Sequence, residues 1–364
     1  MKRFIFFMVV ITMSATPFLT AQGHEAHHGH KTISAGKHAP IGVMGDHMHK
    51  TGEWMLAYRY MHMDMNGNRD GTSDINAATI ATTVPNRFAA VAGQPPTLRV
   101  VPTEMTMDMH MVGGMYAPAD WLTVMAMGRY LEKDMTSITF AGAAGTGVLG
   151  ENSMESNGWG DARISSLIRL YENNIHHLHL NAGLSLPTGA IDKSASMLMP
   201  NGMRMERRMS YGMQLGTGTY DLLPGLTYTG HKERWGWGAQ YSAEIRLEDE
   251  NDEGYAWGDR HSVTSWGSYD WMPWFSTSAR LTATASGKID GIDPQIMGPT
   301  QGADPDNYGG KTVDIGLGAN FIIPRGPLTG HRLAIESGAP FYSNLNGPQL
   351  KRNWTVTIGW QYAF

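Results

Sequence analysis

Two residue types in this 364-residue chain occur in patterns that suit chemistry, methionine and histidine. The 26 methionines crowd into the strings MHMDM (61–65), MTMDMHM (105–111) and MLMPNGMRMERRM (197–209). Thioethers are soft and polarisable and suit Cu(I), whereas imidazoles suit Cu(II), Zn or Ni. Seven of the 15 histidines fall within residues 24–52: His24, His27, His28, His30, His38, His47 and His49. The candidate metal ligands are therefore His24, His27, His28, His30, His47, His49, Met61, Met63, Met65, Met105, Met107, Met109, His110 and Met111. Their ion would be copper or another transition metal, bound weakly, with the histidine tract the better case for weak chelation. The competing reading is packing, because methionine is a flexible hydrophobe that covers a lipid face or fills an interior. For the methionines, packing or a greasy translocation path is the stronger reading.

Other chemistry is excluded or weak. The chain has no cysteine, which removes disulfides, thiolate metal sites and thiol nucleophiles. A net charge of −5 and a pI near 6.3 give no support to nucleic-acid binding. His177, His179, His261 and Ser262 are raw material for an outer-membrane esterase, but no G-x-S-x-G motif accompanies them. No enzyme is expected.

The elements that position these residues begin with an export signal. Lys2 and Arg3 precede FIFFMVVITM and a small-residue exit, SATPFLTA, which reads as a secretory signal peptide over 1–23. Residues 24–52 show no periodicity and read as a flexible, disordered His-rich periplasmic segment. From Glu53 the apolar residues alternate with period two, the signature of strands whose faces meet different solvents. Strands are expected at 53–63, 105–117, 120–131, 159–171, 174–186, 217–229, 234–247, 259–271, 274–286, 311–323, 331–342 and 353–364. In 234–247, Trp235, Trp237, Ala239, Tyr241, Ala243 and Ile245 oppose Gly236, Gly238, Gln240, Ser242, Glu244 and Arg246. The last stretch, NWTVTIGWQYAF, sets an aromatic face against Thr355, Thr357, Gly359 and Gln361 and ends on Phe364.

Short connections alternate with long ones along the chain, as short periplasmic turns alternate with long extracellular loops in outer-membrane barrels. A soluble sandwich predicts neither this alternation nor aromatics near strand ends. The expected fold is all-β: a transmembrane antiparallel β-barrel of about 12 strands over 53–364, in the outer membrane of a Gram-negative bacterium. Its partners would be outer-membrane lipid and, through Phe364, the barrel-assembly machinery. The closing strand must then lie beside 53–63. Parity assigns to the lumen Arg59, Arg129, Asp161, Arg163, Arg169, His177, His179, Glu244, Arg246, Arg280, Asp314 and Glu336. They read as a stiffening salt-bridge network, a pore lining, or both. Met61 and Met63 share the parity of Arg59 and belong inside; on 105–111 the polar parity is Asp108 and His110, which turns the four methionines to lipid.

Three stretches carry a family resemblance: GWGDARISSLIRLYENNIHHLHLNAGLSLPTGA (158–190), LGTGTYDLLPGLTYTG (215–230) and the closing strand. They resemble the outer-membrane transporters named for the meta pathway of phenol degradation, over roughly the last 200 residues. That resemblance implies a barrel that passes or captures small, often aromatic or hydrophobic, molecules. The N-terminal third departs from it in being richer in Met and His, and there the chain is similar to copper-resistance outer-membrane proteins. Passage of a small solute is the leading expectation. Copper handling is the alternative, ahead of a purely structural barrel.

Overall fold

Alternating sequence from Trp54 onward folds into strands long enough to cross a bilayer, and the strands close on themselves. The structure, a computed structural model, describes residues 34–364. Eleven strands form the ring: β1 (Trp54–Gly71), β2 (Val100–Ala119), β3 (Leu122–Phe140), β4 (Ala162–Glu172), β5 (His176–Leu186), β6 (Asp221–Lys232), β7 (Trp235–Arg246), β8 (Arg260–Met272), β9 (Phe275–Ser286), β10 (Gly310–Ile322) and β11 (Arg332–Ala363). Each pairs antiparallel with its sequence neighbour in the ring, and β11 returns to β1. At the seam Trp54 N–H donates to Phe364 O over 2.9 Å and Phe364 N–H to Trp54 O over 2.8 Å. The closing strand therefore lies where the sequence requires it.

The last strand departs from expectation. The segments 331–342 and 353–364 belong to one continuous strand of 32 residues, with no loop over 343–352. Residues Arg332–Leu345 pair with β10, whereas Leu345–Ala363 pair with β1. Trp360 Nε1 donates to His331 Nδ1 over 2.9 Å and Arg332 bonds Gln361, so the two halves lie side by side. The strand doubles back at Asn346–Gly347, where Gly347 takes φ 71°. Pairing runs to the tip of this hairpin, which leaves no room for a loop. A ring with every neighbour antiparallel needs an even number of passes, and the doubled β11 supplies it.

The outward face is exposed and apolar, with Leu56, Val112, Ile164, Leu170, Leu226 and Ile358 among its side chains. Trp121, Trp235, Trp271, Trp274 and Phe364 gather at the short-turn end as an aromatic girdle. An exposed apolar belt on a closed ring is a lipid-facing surface. At the other end β1, β2 and β3 rise higher than the rest, and strand 148–159 pairs with the upper part of β3. Long loops fold over that end around Phe88, Tyr211, Tyr255, Ile289 and Ile296.

The register corrects one assignment. Directly opposed residues of antiparallel strands share a face, and Arg59 opposes Met111 while Met61 opposes Met109 and Met63 opposes Met107. Met105, Met107, Met109 and Met111 therefore face inward, and Asp108 and His110 face out. Polarity alone misleads here because the outer surface supplies its own partners. Tyr60 donates to Asp108 over 2.5 Å, His62 Nδ1 lies 2.8 Å from the same oxygen, and Tyr58 pairs with His110 at 2.8 Å.

Candidate functional site

The lumen is crossed by the chain's own N-terminal side. The flexible segment expected over 24–52 is, over 34–52, packed inside the barrel; His24, His27, His28 and His30 lie outside the described residues. Ala35 N–H donates to Pro273 O in the β8–β9 turn over 2.9 Å. Asp270 accepts from Ser34 Oγ at 2.7 Å and from Gly36 N–H at 2.6 Å. The segment then meets β11, where Gly42 N–H donates to Glu336 over 3.0 Å and Arg332 donates to Ala39 O over 2.6 Å. Gln240 of β7 donates to Met44 O at 2.8 Å, His179 of β5 bonds Gly45 O at 2.9 Å, and Thr123 of β3 accepts from His49 N–H at 3.1 Å. Sequence periodicity could not show this order, because side chains on distant strands impose it. Two lumen glycines make room: a Cβ on Gly236 would stand 2.2 Å from Gly36 O, and one on Gly359 would stand 2.6 Å from the Ile41 side chain.

Within the segment, His38, Asp46, His47 and His49 gather. The rings of His38 and His47 are 5.1 Å apart, and those of His47 and His49 5.0 Å. Asp46 accepts from Ala39 N–H at 3.0 Å and pairs with His47 Nδ1 at 2.9 Å. Burial, reinforced by the Arg332 charge, holds His38 well below the ordinary imidazole range. Burial, with His47 beside it, lowers His49 to about 4. Burial also pushes the Asp46 carboxyl up, but the charge and hydrogen bond of His47 together with Arg332 and His38 outweigh it and hold Asp46 well below the usual carboxylate range. His38 and His49 are thus neutral imidazoles at neutral pH.

The charged residues expected in the lumen separate into levels. Arg280 reaches past β10 to bond Glu336, across Gly316, where a Cβ would approach the Glu336 carboxylate to 2.7 Å. Arg163 on β4 pairs with Glu244 on β7 at 2.6 Å, and Arg246 pairs with Asp221 at 2.5 Å. Arg352 bonds Asp314. Asp161 lies just before β4, buried, and accepts from Gly189 and Thr217 N–H groups, each at 2.9 Å, tying the 187–220 loop to the wall. Arg129 Nε donates to Asp161 O at 3.3 Å. Arg169 and His177 both meet Glu172 at the short-turn rim, away from the deep lumen. Arg59 is buried with Nη1 lacking a hydrogen-bond partner. Lys133, Arg332 and Gln361 are further lumen groups; Lys133 continues the inward parity of Arg129, and Arg332 that of Glu336.

One side of the lumen is methionine. On β1 to β3 the inward positions include Met55, Met61, Met63, Met65, Met105, Met107, Met109, Met111, Met115, Met125, Met127 and Met135, opposed in rows. A small cavity lies where this wall meets the segment, lined by Met44, Met111, Met115, Met127, His47 and Arg59. A second small cavity lies higher, beside Met135, Met154, Met197 and Met297. The esterase materials do not assemble: His261 pairs with Tyr241 at 2.9 Å, Ser262 pairs with Thr284 at 3.1 Å, and as successive strand residues they face opposite sides.

No protein-family model matches the sequence, and no curated protein matches it. Solved structures do. An outer membrane channel from Pseudomonas putida F1 superposes with a TM-score of 0.54 at 15% identity, covering 88% of this chain and 98% of that one. A Pseudomonas aeruginosa FadL homologue gives 0.45 at 8% identity, covering 85% and 90%. A mutant of TodX, a monoaromatic hydrocarbon channel, gives 0.44 at 10% identity, covering 87% and 90%. The likeness to the first is one of fold: the chain shares its closed β-barrel architecture.

Proposed function

We propose that this protein is an outer-membrane channel that passes a small solute through a lumen narrowed by its own segment 34–52. The observation that carries the reading is the arrangement inside the ring. A threaded segment crosses the lumen and leaves small cavities against one wall. Charge pairs such as Arg163–Glu244 and Arg280–Glu336 brace the remaining wall. In this reading residues 1–23 direct export, Phe364 is read by the assembly machinery, the short turns face the periplasm and the long loops face outward. The meta-pathway resemblance supplies the proposed family and an apolar or aromatic solute. No catalytic role and no nucleic-acid partner form part of the proposal. A second reading, copper handling, is favoured by the methionine face of the lumen.

Planar-bilayer recording of the purified protein tests the channel. Small discrete conductance steps are expected, because the segment crosses the lumen and narrows it. A silent bilayer, together with no solute uptake into proteoliposomes, overturns the reading.

A further inference from the structure

The methionine wall rests on the channel reading and deepens its copper-handling form, in which a metal ion takes the place of an apolar or aromatic solute. Packing does not explain why these residues are methionine. Leucine and methionine exchange in cores at little cost, yet on β1 to β3 every methionine faces inward, with Leu131 the one leucine among them. The outward apolar side chains of these three strands are aliphatic or aromatic, as at Leu56, Tyr58 and Val112. The inward positions of β1 to β3 are methionine in row after row: Met65 with Met105 and Met135, Met63 with Met107, Met61 with Met109, Met55 with Met115 and Met125. Opposed residues have Cβ atoms about 4.5–5.5 Å apart, so each row brings two or three sulfurs together.

Met111 and Met127, one in each of the two intervening rows, join these rows into a path. Its upper end is a buried cluster of Met105, Met135, Met154, Met209 and Met213. Its inner end meets the threaded segment, where Met48 packs on Met55 and Met115 and Met44 shares a cavity with Met111, Met127 and His47. Just beyond, His38, Asp46 and His47 hold potential ligand atoms within 4.8 Å of one another. Nδ1 of His38 and Nε2 of His49 are buried without hydrogen-bond partners.

We propose that the solute is a soft monovalent d10 metal ion of the Cu(I) and Ag(I) class, carried along the thioethers of β1–β3 to an inner site formed by His38, Asp46 and His47. Thioethers hold such ions by polarisation and add no charge of their own. Several equivalent weak sites in series are what conduction requires. The cations on the same face, Arg59, Arg129 and Lys133, then act as a filter. They repel a hard cation, whose binding is electrostatic, while a sulfur-bound ion gains enough to remain.

The test uses full-length protein in liposomes, with silver nitrate as the metal probe and glycerol uptake measured in parallel. Wild-type protein is expected to pass both. The volume-conserving variant Met61→Leu/Met63→Leu/Met107→Leu/Met109→Leu should lower the ratio of Ag(I) to glycerol flux by about tenfold or more. In calorimetric titration with silver nitrate, His38→Gln/His47→Gln should weaken binding by about tenfold or more. The histidines before residue 34 are the same in every protein compared, so their contribution cancels. Unchanged ratio and unchanged binding in these variants overturn the metal assignment while glycerol flux leaves the channel standing. Absence of both fluxes from the wild type overturns the channel reading, and the metal inference falls with it.

Discussion

At Glu336 one carboxylate does two things: it pairs with Arg280 on β9 and accepts from Gly42 N–H of the threaded segment. Glu336 is almost fully buried, so replacing it by glutamine leaves the Arg280 guanidinium without its counter-charge in a low-dielectric wall. Breaking a buried pair from one side costs about 3–5 kcal/mol, and Arg280, one-fifth exposed, places this case at the low end. Urea unfolding of Glu336→Gln in detergent should therefore show a loss of about 3 kcal/mol. The double variant Glu336→Gln/Arg280→Gln should recover most of it. Equal losses in the single and double variants would show that the pair is not what stabilises this level. The inward direction of Arg280 and Glu336 was legible in strand parity. Their partnership was not, because it spans an intervening strand and depends on Gly316 having no side chain.

Segment 34–52 and strand β2 mark where legibility stops at the scale of the element. Alternation identified the spanning strands because their two faces meet different solvents and the signal is local. The segment carries no such signal. Its order comes from Asp270, Gln240, His179 and Glu336, contributed by four different strands. On β2 the period was legible and the facing was not, because Asp108 and His110 find hydrogen bonds on the outer surface that a one-strand reading cannot see. The glycines beneath the segment make its seating testable. Side chains at Gly236 and Gly359 would overlap Gly36 O and Ile41, so Gly236→Val/Gly359→Val should displace the segment while leaving strand pairing intact. Single-channel conductance is expected to rise several-fold. Conductance equal to wild type would mean that the segment does not rest on these glycines.

For the whole molecule, closure is the property on which lumen, cavities and methionine wall all depend, and it is decided at one seam. Trp54 and Phe364 exchange both backbone hydrogen bonds, which makes the next opposed pair, Met55 and Ala363, a non-hydrogen-bonded one. Such pairs have Cα atoms about 4.5 Å apart, within the range a disulfide spans. The chain contains no cysteine, so Met55→Cys/Ala363→Cys introduces the only two thiols. Mild oxidation of the folded barrel should link them nearly completely, giving a near-circular chain that migrates faster on a non-reducing denaturing gel. Leu56→Cys/Ala363→Cys should fail to link. Opposed residues share a face and their sequence neighbours do not, so a slip of one residue would exchange the two results. Linkage in neither variant would mean that the barrel is open between its first and last strands. The lumen would then reach lipid along β1, where the methionine rows begin.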